Sequence, residues 1–211
     1  MNLRHYYHIY AVEGWEDVVE EHLTALTESG LMDALDHDGF RVGIVASTRE
    51  EQERVYDFCS ERVSSVNVVR YCYSGWEQAT LSMIRVWEHI QNREGAILYA
   101  HTKGVHDPSE INVAWRRSME AVVVQGWREC LRRLEPVDAV GCHWLSKEEW
   151  PDNVDTPFFG GNWWWAKATY VRRLDEPSYE NRWFGETWLG SKNPLVDDLL
   201  PGWPDLSLFR S

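Results

Sequence analysis

Short, continuous apolar runs separated by helical stretches constrain this chain more than any other feature. Residues 6–12, 42–46, 66–71, 96–100 and 137–142 each read as a strand that is apolar on both faces. They lack the in–out alternation of a half-solvated sheet, so both faces must be covered. Helical spacing fills the gaps between them. Residues 13–29 put Trp15, Val18, Val19, His22, Leu23 and Leu26 on one face, with Gly30 past the end. Ser47 is placed to cap a helix running through Val55 and Phe58. Residues 75–93 align Ala79, Met83, Val86, Trp87 and Ile90, and residues 110–134 align Trp115, Met119, Val122, Val123, Cys130 and Leu134. This alternation predicts an α/β fold with a mostly parallel central sheet flanked by helices.

After Cys142 the alternation stops. Residues 145–157 read as a polar loop and 158–166 as an aromatic block, followed by short helices near 167–174 and 184–189. The tail from Asn193 is rich in Pro, Asp and Leu. A chain of 211 residues organised this way is one domain of ordinary size.

Charge removes several function classes. Lys plus Arg is 21 against 34 for Asp plus Glu, a formal charge of −13. A field of that sign repels phosphate backbones and anionic lipid, which argues against general nucleic-acid or membrane-surface binding and leaves room for a local basic pocket. The longest apolar runs, such as 42–46 and 121–124, are too short to span a bilayer, and the first residues lack the pattern of a secretory signal. Cys59, Cys72, Cys130 and Cys142 have no C-x-x-C spacing and each lies in or beside an apolar segment. They read as reduced thiols of a cytoplasmic protein. The 13 tryptophans exceed what core filling alone requires.

Open α/β sheets bind ligands beyond the carboxyl ends of their strands. That directs attention to residues 12–15, 71–76, 101–107 and 142–145. The sharpest segment is the apolar run Ile97, Leu98, Tyr99, Ala100, which ends abruptly in His101, Thr102, Lys103 and Gly104. Lys103 offers a point charge for a phosphate and Gly104 permits close backbone approach; the same composition also suits a polar turn. Trp115, Arg116 and Arg117 open the next helix, where arginines oppose the macrodipole. A bound anion explains them, and so does a solvated face.

Phe158, Phe159, Gly160, Gly161, Asn162, Trp163, Trp164, Trp165 and Ala166 combine backbone access, an amide and stacking surfaces suited to sugars or bases. Alternation sends Trp163 and Trp165 to one face and Trp164 to the other, so at least one is core. In Trp183, Phe184, Gly185, Glu186, Thr187 and Trp188 a carboxylate sits among aromatics, as a general base does and as a plain helix-terminal Glu also does. Asp36, His37 and Asp38 form a D-x-D that precedes a strand, so it reads as a loop. Glu20–Glu21 and Glu50–Glu51 read as solvated helix faces. His101, His106 and Asp107 are the candidate metal ligands, at a spacing that matches no zinc pattern.

Taken in order, YAHTKG at residues 99–104, WRR at 115–117, DAVGCHW at 138–144, FFGGNWWWAKATYVRRL at 158–174 and RWFGETWLG at 182–190 resemble small bacterial and viral glycosyltransferases, related to those of rhamnan-type polysaccharide synthesis. The resemblance implies a GT-A-like fold, with a nucleotide-sugar half over about residues 1–142 and an acceptor half over about 143–211. It implies transfer of a sugar from a nucleotide-sugar, UDP-linked, to a hydroxyl on a glycan, protein or modified base. Tyr10, His101, Thr102, Lys103, Gly104 and Arg116 then bind the donor. Gly160, Gly161, Asn162, Trp163 and Trp165 form the acceptor and sugar pocket, and Glu186 is the catalytic base. Where GT-A enzymes keep an acidic D-x-D for a divalent metal, this chain has His101, Thr102 and Lys103. That departure implies no obligatory cofactor, with Mn²⁺ or Mg²⁺ an option, and puts Lys103 and Arg116 on the leaving diphosphate. The other function class compatible with these residues is a nucleotide-sugar- or carbohydrate-binding protein without turnover.

Overall fold

The computed structural model describes residues 1–72, 77–146 and 156–202, with backbone alone for 69–72. Its strands, in chain order, are β1 (Leu3–Tyr10), β2 (Phe40–Val45), β3 (Asn67–Cys72), β4 (Ala96–His101), β5 (Ala139–Gly141), β6 (Trp144–Leu145), β7 (Phe158–Phe159), β8 (Trp164–Lys167) and β9 (Val196–Asp198). Its helices are α1 (Trp15–Glu28), α2 (Leu31–Ala34), α3 (Arg49–Ser60), α4 (Gln78–Gln91), α5 (Glu110–Glu120), α6 (Trp127–Leu134), α7 (Ala168–Val171) and α8 (Trp183–Glu186). The five strands and the main helices expected from the apolar pattern are present, with ends moved by a few residues. The chain is α/β with a mostly parallel seven-stranded sheet, in the order β3-β2-β1-β4-β8-β5-β9.

β1 is the axis of the sheet. It pairs in parallel with β2 on one side and with β4 on the other, and β2 pairs in parallel with β3. From β1 the chain winds outward through α1 to β2; from β4 it winds the other way through α5 and α6 to β5. The crevice at the carboxyl ends of β1 and β4 is therefore the topological switch point, where open α/β sheets bind ligands. Thr102 closes the top of that pair: its N–H donates to the His8 carbonyl at 3.0 Å, and its Oγ1 accepts from the Tyr10 N–H at 3.0 Å.

Three local details differ from the sequence reading. The aromatic block supplies β8, which is antiparallel to both β4 and β5 and separates them. Trp163 and Trp165 face one core layer and Trp164 the other, as alternation requires, and all three are 0–1% exposed. The long helix over 110–134 is broken by a π turn, Ala121–Gln125, where Gly126 N–H bonds the Ala121 carbonyl at 3.1 Å. The α3 cap is Thr48, one residue after Ser47; its hydroxyl accepts from Glu51 N–H.

One core layer packs α1, α5 and α6 onto the sheet; the second packs α4 and α7 onto the opposite face. Cys59, Cys130 and Cys142 are buried and unbridged within the first. Among the described residues no helix is long and apolar enough to cross a membrane.

Candidate functional site at the switch point

A cavity of about 580 Å³ opens at the carboxyl ends of β1 and β4. His8 and Tyr10 reach it from β1, Glu77 and Gln78 from the start of α4, and Asn112 from α5. The β4 end and the following loop contribute residues 101–107, and Arg182 and Glu186 come from the α8 region. The fold thus gathers Tyr10, His101, Thr102, Lys103, Gly104, His106, Asp107 and Glu186 of the sequence-predicted set into one place. Gly104 adopts φ +79°, the left-handed turn that brings the loop back toward Asn112.

The floor of the cavity is uncharged. His8 and His101 are direct cross-strand partners. Burial lowers the His8 pKa to about 4 and that of His101 to about 3, the latter helped by the Lys103 charge. His101 Nε2 lies 2.8 Å from the Gly161 carbonyl, which can only accept, so Nε2 carries the proton of a neutral ring. His8 Nδ1 meets Thr80 Oγ1 at 2.8 Å. His101 is therefore no cation for an anionic donor.

Cationic charge comes from Lys103 and Arg182. Lys103 Nζ stands 4.4 Å from the Trp115 ring centroid and Arg182 packs over Trp183. Among the described residues neither cation forms an ion pair with the carboxylates that share the cavity. Arg116, expected on the diphosphate, is elsewhere. Its buried guanidinium bonds Glu21 through Nη2 and the Lys103 carbonyl through Nη1 at 3.0 Å, and Arg117 shares Glu21. Glu21 is thus a half-buried ion-pair partner and not part of a solvated helix face. Arg116 shapes the Lys103 loop from behind.

The carboxyl side was only half visible in the sequence. Glu77 is half-buried and its Oε2 accepts from Tyr99 Oη at 2.7 Å and from Asn162 Nδ2 at 3.0 Å. Despite those donors its pKa is raised to about 7, first by burial and next by the Glu186 charge. The other oxygen, Oε1, faces the backbone that carries Glu186: a Cβ on Gly185 would stand 2.7 Å from it, so this carboxyl requires glycine there. Beside it, Gln78 is fully buried, with Nε2 donating to the Asn181 carbonyl at 2.7 Å and Oε1 without a partner among the described residues. Glu77 and Gln78 had escaped the sequence reading, and Tyr99 and Arg182 stood inside its motifs without a role. The signal was positional: Glu77 lies one residue past the segment 71–76 that follows the third strand. Residues 73–76 of that segment lie outside the described residues.

The glycine–asparagine–tryptophan block does not line the cavity. Gly160, Gly161, Asn162, Trp163 and Trp165 are all buried, and the tryptophan N–H groups are used internally. Trp163 Nε1 donates to the His101 carbonyl at 3.1 Å, Trp165 Nε1 to Val123 at 2.7 Å and Trp164 Nε1 to Asn162 Oδ1 at 2.8 Å. The expected sugar-stacking surface is core, and the block positions Glu77 and His101 from behind.

The metal set expected as an option does not form. Among the described residues no three His, Cys, Asp or Glu side chains group as cation ligands. Asp107 Oδ2 accepts from Asn112 Nδ2 at 2.9 Å, and His101 holds its proton against Gly161. Asp36 and Asp38 of the D-x-D bond the Leu3 N–H and Arg41 at the far end of β1.

A family model described as a domain of unknown function, DUF8361, matches residues 6–192. The chain belongs to the DUF8361 family. The match covers every described residue that lines the cavity of this DUF8361 protein. No curated protein matches its sequence. Among solved structures it is similar to a 4-diphosphocytidyl-2C-methyl-D-erythritol synthase, at 14% identity and a TM-score of 0.42, over 100% of this chain and 94% of that one.

Proposed function

We propose that this DUF8361 protein is a glycosyltransferase that moves a sugar from a nucleotide-sugar, UDP-linked, to a hydroxyl of a glycan, protein or modified base. The observation that carries the reading is the unpaired chemistry of the switch-point cavity. Lys103 and Arg182 share it with Glu186, Glu77 and Gln78 Oε1, the last without a partner among the described residues. Opposite charges left apart in one cavity fit a ligand with an anionic half and a hydroxyl-rich half, and a nucleotide-sugar has both.

In that reaction the bond from the sugar C1 to the diphosphate oxygen breaks, and its electron pair leaves on the diphosphate. Lys103 and Arg182 stabilise the charge that develops there. The acceptor oxygen bonds to C1 and its proton passes to Glu186, a transfer worth ~10²–10⁴ in rate when the base is well placed.

A panel of UDP-, GDP- and dTDP-sugars, scored for nucleoside diphosphate release, tests the reading. Release with one donor, accelerated by an acceptor, supports it. A raised melting temperature with no release makes the protein a binder instead. Ligand at ~100 times its Kd should add about 2.7 kcal/mol. That gain should persist in excess chelator; its complete loss would overturn the role given to Lys103.

A further inference from the structure

We propose that His5, His22 and Glu120 form a buried proton latch: one proton held between His22 Nδ1 and Glu120 Oε1 fastens α1 to α5, and its loss opens that joint. None of these groups takes part in the transfer chemistry proposed above.

Three contacts in a row need three protons. His5 Nδ1 lies 3.2 Å from the Leu98 carbonyl, His5 Nε2 lies 2.8 Å from His22 Nε2, and His22 Nδ1 lies 3.1 Å from Glu120 Oε1. The Leu98 carbonyl can only accept, so His5 donates from Nδ1, and a neutral His5 ring accepts at Nε2. His22 must then donate from Nε2, which leaves its Nδ1 bare toward Glu120. Two neutral imidazoles thus supply two of the three protons, and the Glu120 carboxyl supplies the third as an O–H donor. A carboxylate in its place would set lone pair against lone pair. Reversing both rings would only move that clash to the Leu98 carbonyl.

The surroundings favour this neutral arrangement over an imidazolium facing a carboxylate. His5 and His22 are fully buried and Glu120 is 5% exposed. Burial, helped by the Arg116 charge, lowers His22 to about 3, with Glu21 opposing. Burial and then Glu21 raise Glu120 to about 8 against Arg116 and Arg117. From β1, Tyr7 stacks on His22 with ring centroids 4.3 Å apart, its hydroxyl without a partner among the described residues. Asp17, Glu20 and Glu28 of α1 share with Glu120 a cavity of about 510 Å³, the route by which the proton reaches water.

The joint lies behind the switch-point cavity. α5 also carries Arg116, which bonds Glu21 of α1 and the Lys103 carbonyl. His22 meets the Trp163 ring edge-on at 5.1 Å, and a π turn begins at Ala121, directly after Glu120.

Imidazole ¹⁵N NMR of the full chain tests the proton count. At pH ~7 His5 should carry its proton on Nδ1 and His22 on Nε2, with both rings neutral. As pH rises through about 8 the His22 Nδ1 resonance should shift in a single titration. Glu120→Gln keeps a donor for His22 Nδ1 in its amide N–H, so both tautomers should persist while that titration disappears. Unfolding supplies a second arm. The folded chain holds the Glu120 proton up to about pH 8, and the unfolded chain releases it near pH ~4.3. Over that window the folding constant of the wild type, divided by that of Glu120→Gln, should fall about tenfold per pH unit. A neutral His22 protonated on Nδ1, or an imidazolium at either ring at pH ~7, overturns the proposal. So does a ratio that stays flat with pH. If Glu120→Gln does not fold, the wild-type tautomers and their alkaline transition decide the matter alone.

Discussion

The side-chain amide of Asn162 donates to Oε2 of Glu77 at 3.0 Å while its oxygen accepts from Trp164 Nε1 at 2.8 Å. One residue in the left-handed region, φ 55°, thus connects the antiparallel strand β8 to the half-buried carboxyl of the cavity. Asn tolerates that backbone conformation better than most residues because its short amide bonds locally. Asn162→Ala should leave the Trp164 N–H orphaned and cost ~1–3 kcal/mol. In a chain this long that lowers the melting temperature by about 2–4 °C per kcal/mol. The same variant removes a donor from Glu77, so its titration should move above its present position. Calorimetry and ¹³C NMR check the two halves separately.

The tryptophan block should behave as core throughout. Trp163→Ala, Trp164→Ala and Trp165→Ala should each cost ~3–5 kcal/mol in denaturant unfolding. Trp165→Phe keeps most of the volume but leaves the Val123 carbonyl without its donor. It should cost about 1–3 kcal/mol with nucleotide affinity unchanged. A stable Trp163→Ala that loses only ligand affinity would contradict the packing seen around that ring.

Stability should fall steeply in acid because several imidazoles that folding desolvates must stay neutral, His5, His8, His22 and His101 among them. His5 is held well below its usual pKa by burial and by His22, and burial holds His22 at about 3, His8 at about 4 and His101 at about 3. The unfolded chain takes up these protons near pH ~6.5 and the folded chain does not, so stability is lost as pH falls below that value. Glu120, raised to about 8 chiefly by burial and next by Glu21, acts in the opposite sense. Its contribution is present in acid and is lost as pH rises toward 8. The two are joined, since His22 Nδ1 lies 3.1 Å from Glu120 Oε1. His22→Gln should flatten the acid limb by about one proton at pH ~5, or about 1.4 kcal/mol per pH unit. The slope of unfolding free energy against pH measures it.

Lys103→Met should separate ligand binding from fold. Its ammonium rests on Trp115 at the cavity mouth, and its backbone, not its side chain, holds Arg116. Loss of a charge-assisted contact of ~1.5–3 kcal/mol predicts a ten- to hundredfold weaker Kd for UDP, with little change in melting temperature. Arg116→Met should do the reverse first, destabilising the fold by taking one of two arginines from Glu21 and the side-chain donor from the Lys103 carbonyl. Titration calorimetry with UDP, paired with thermal unfolding, distinguishes them.

What the sequence determined is what local patterning can carry. Apolar runs and helical spacing are properties of neighbours along the chain, so β1 to β5 and the main helices were legible, as was the loop at Lys103 beyond the end of β4. Alternation placed Trp163 and Trp165 opposite Trp164. It could not say that both faces of β8 would be covered, because that depends on the strand's position between β4 and β5. Tertiary structure also decided every charge in the site. Arg116 was removed from it by Glu21, 95 residues away, and Glu77 gained Asn162, 85 residues away, along with the turn that bears Glu186. A carboxyl's proton affinity is set by the water it loses and by the charges folding brings near, and neither is written in the residues beside it.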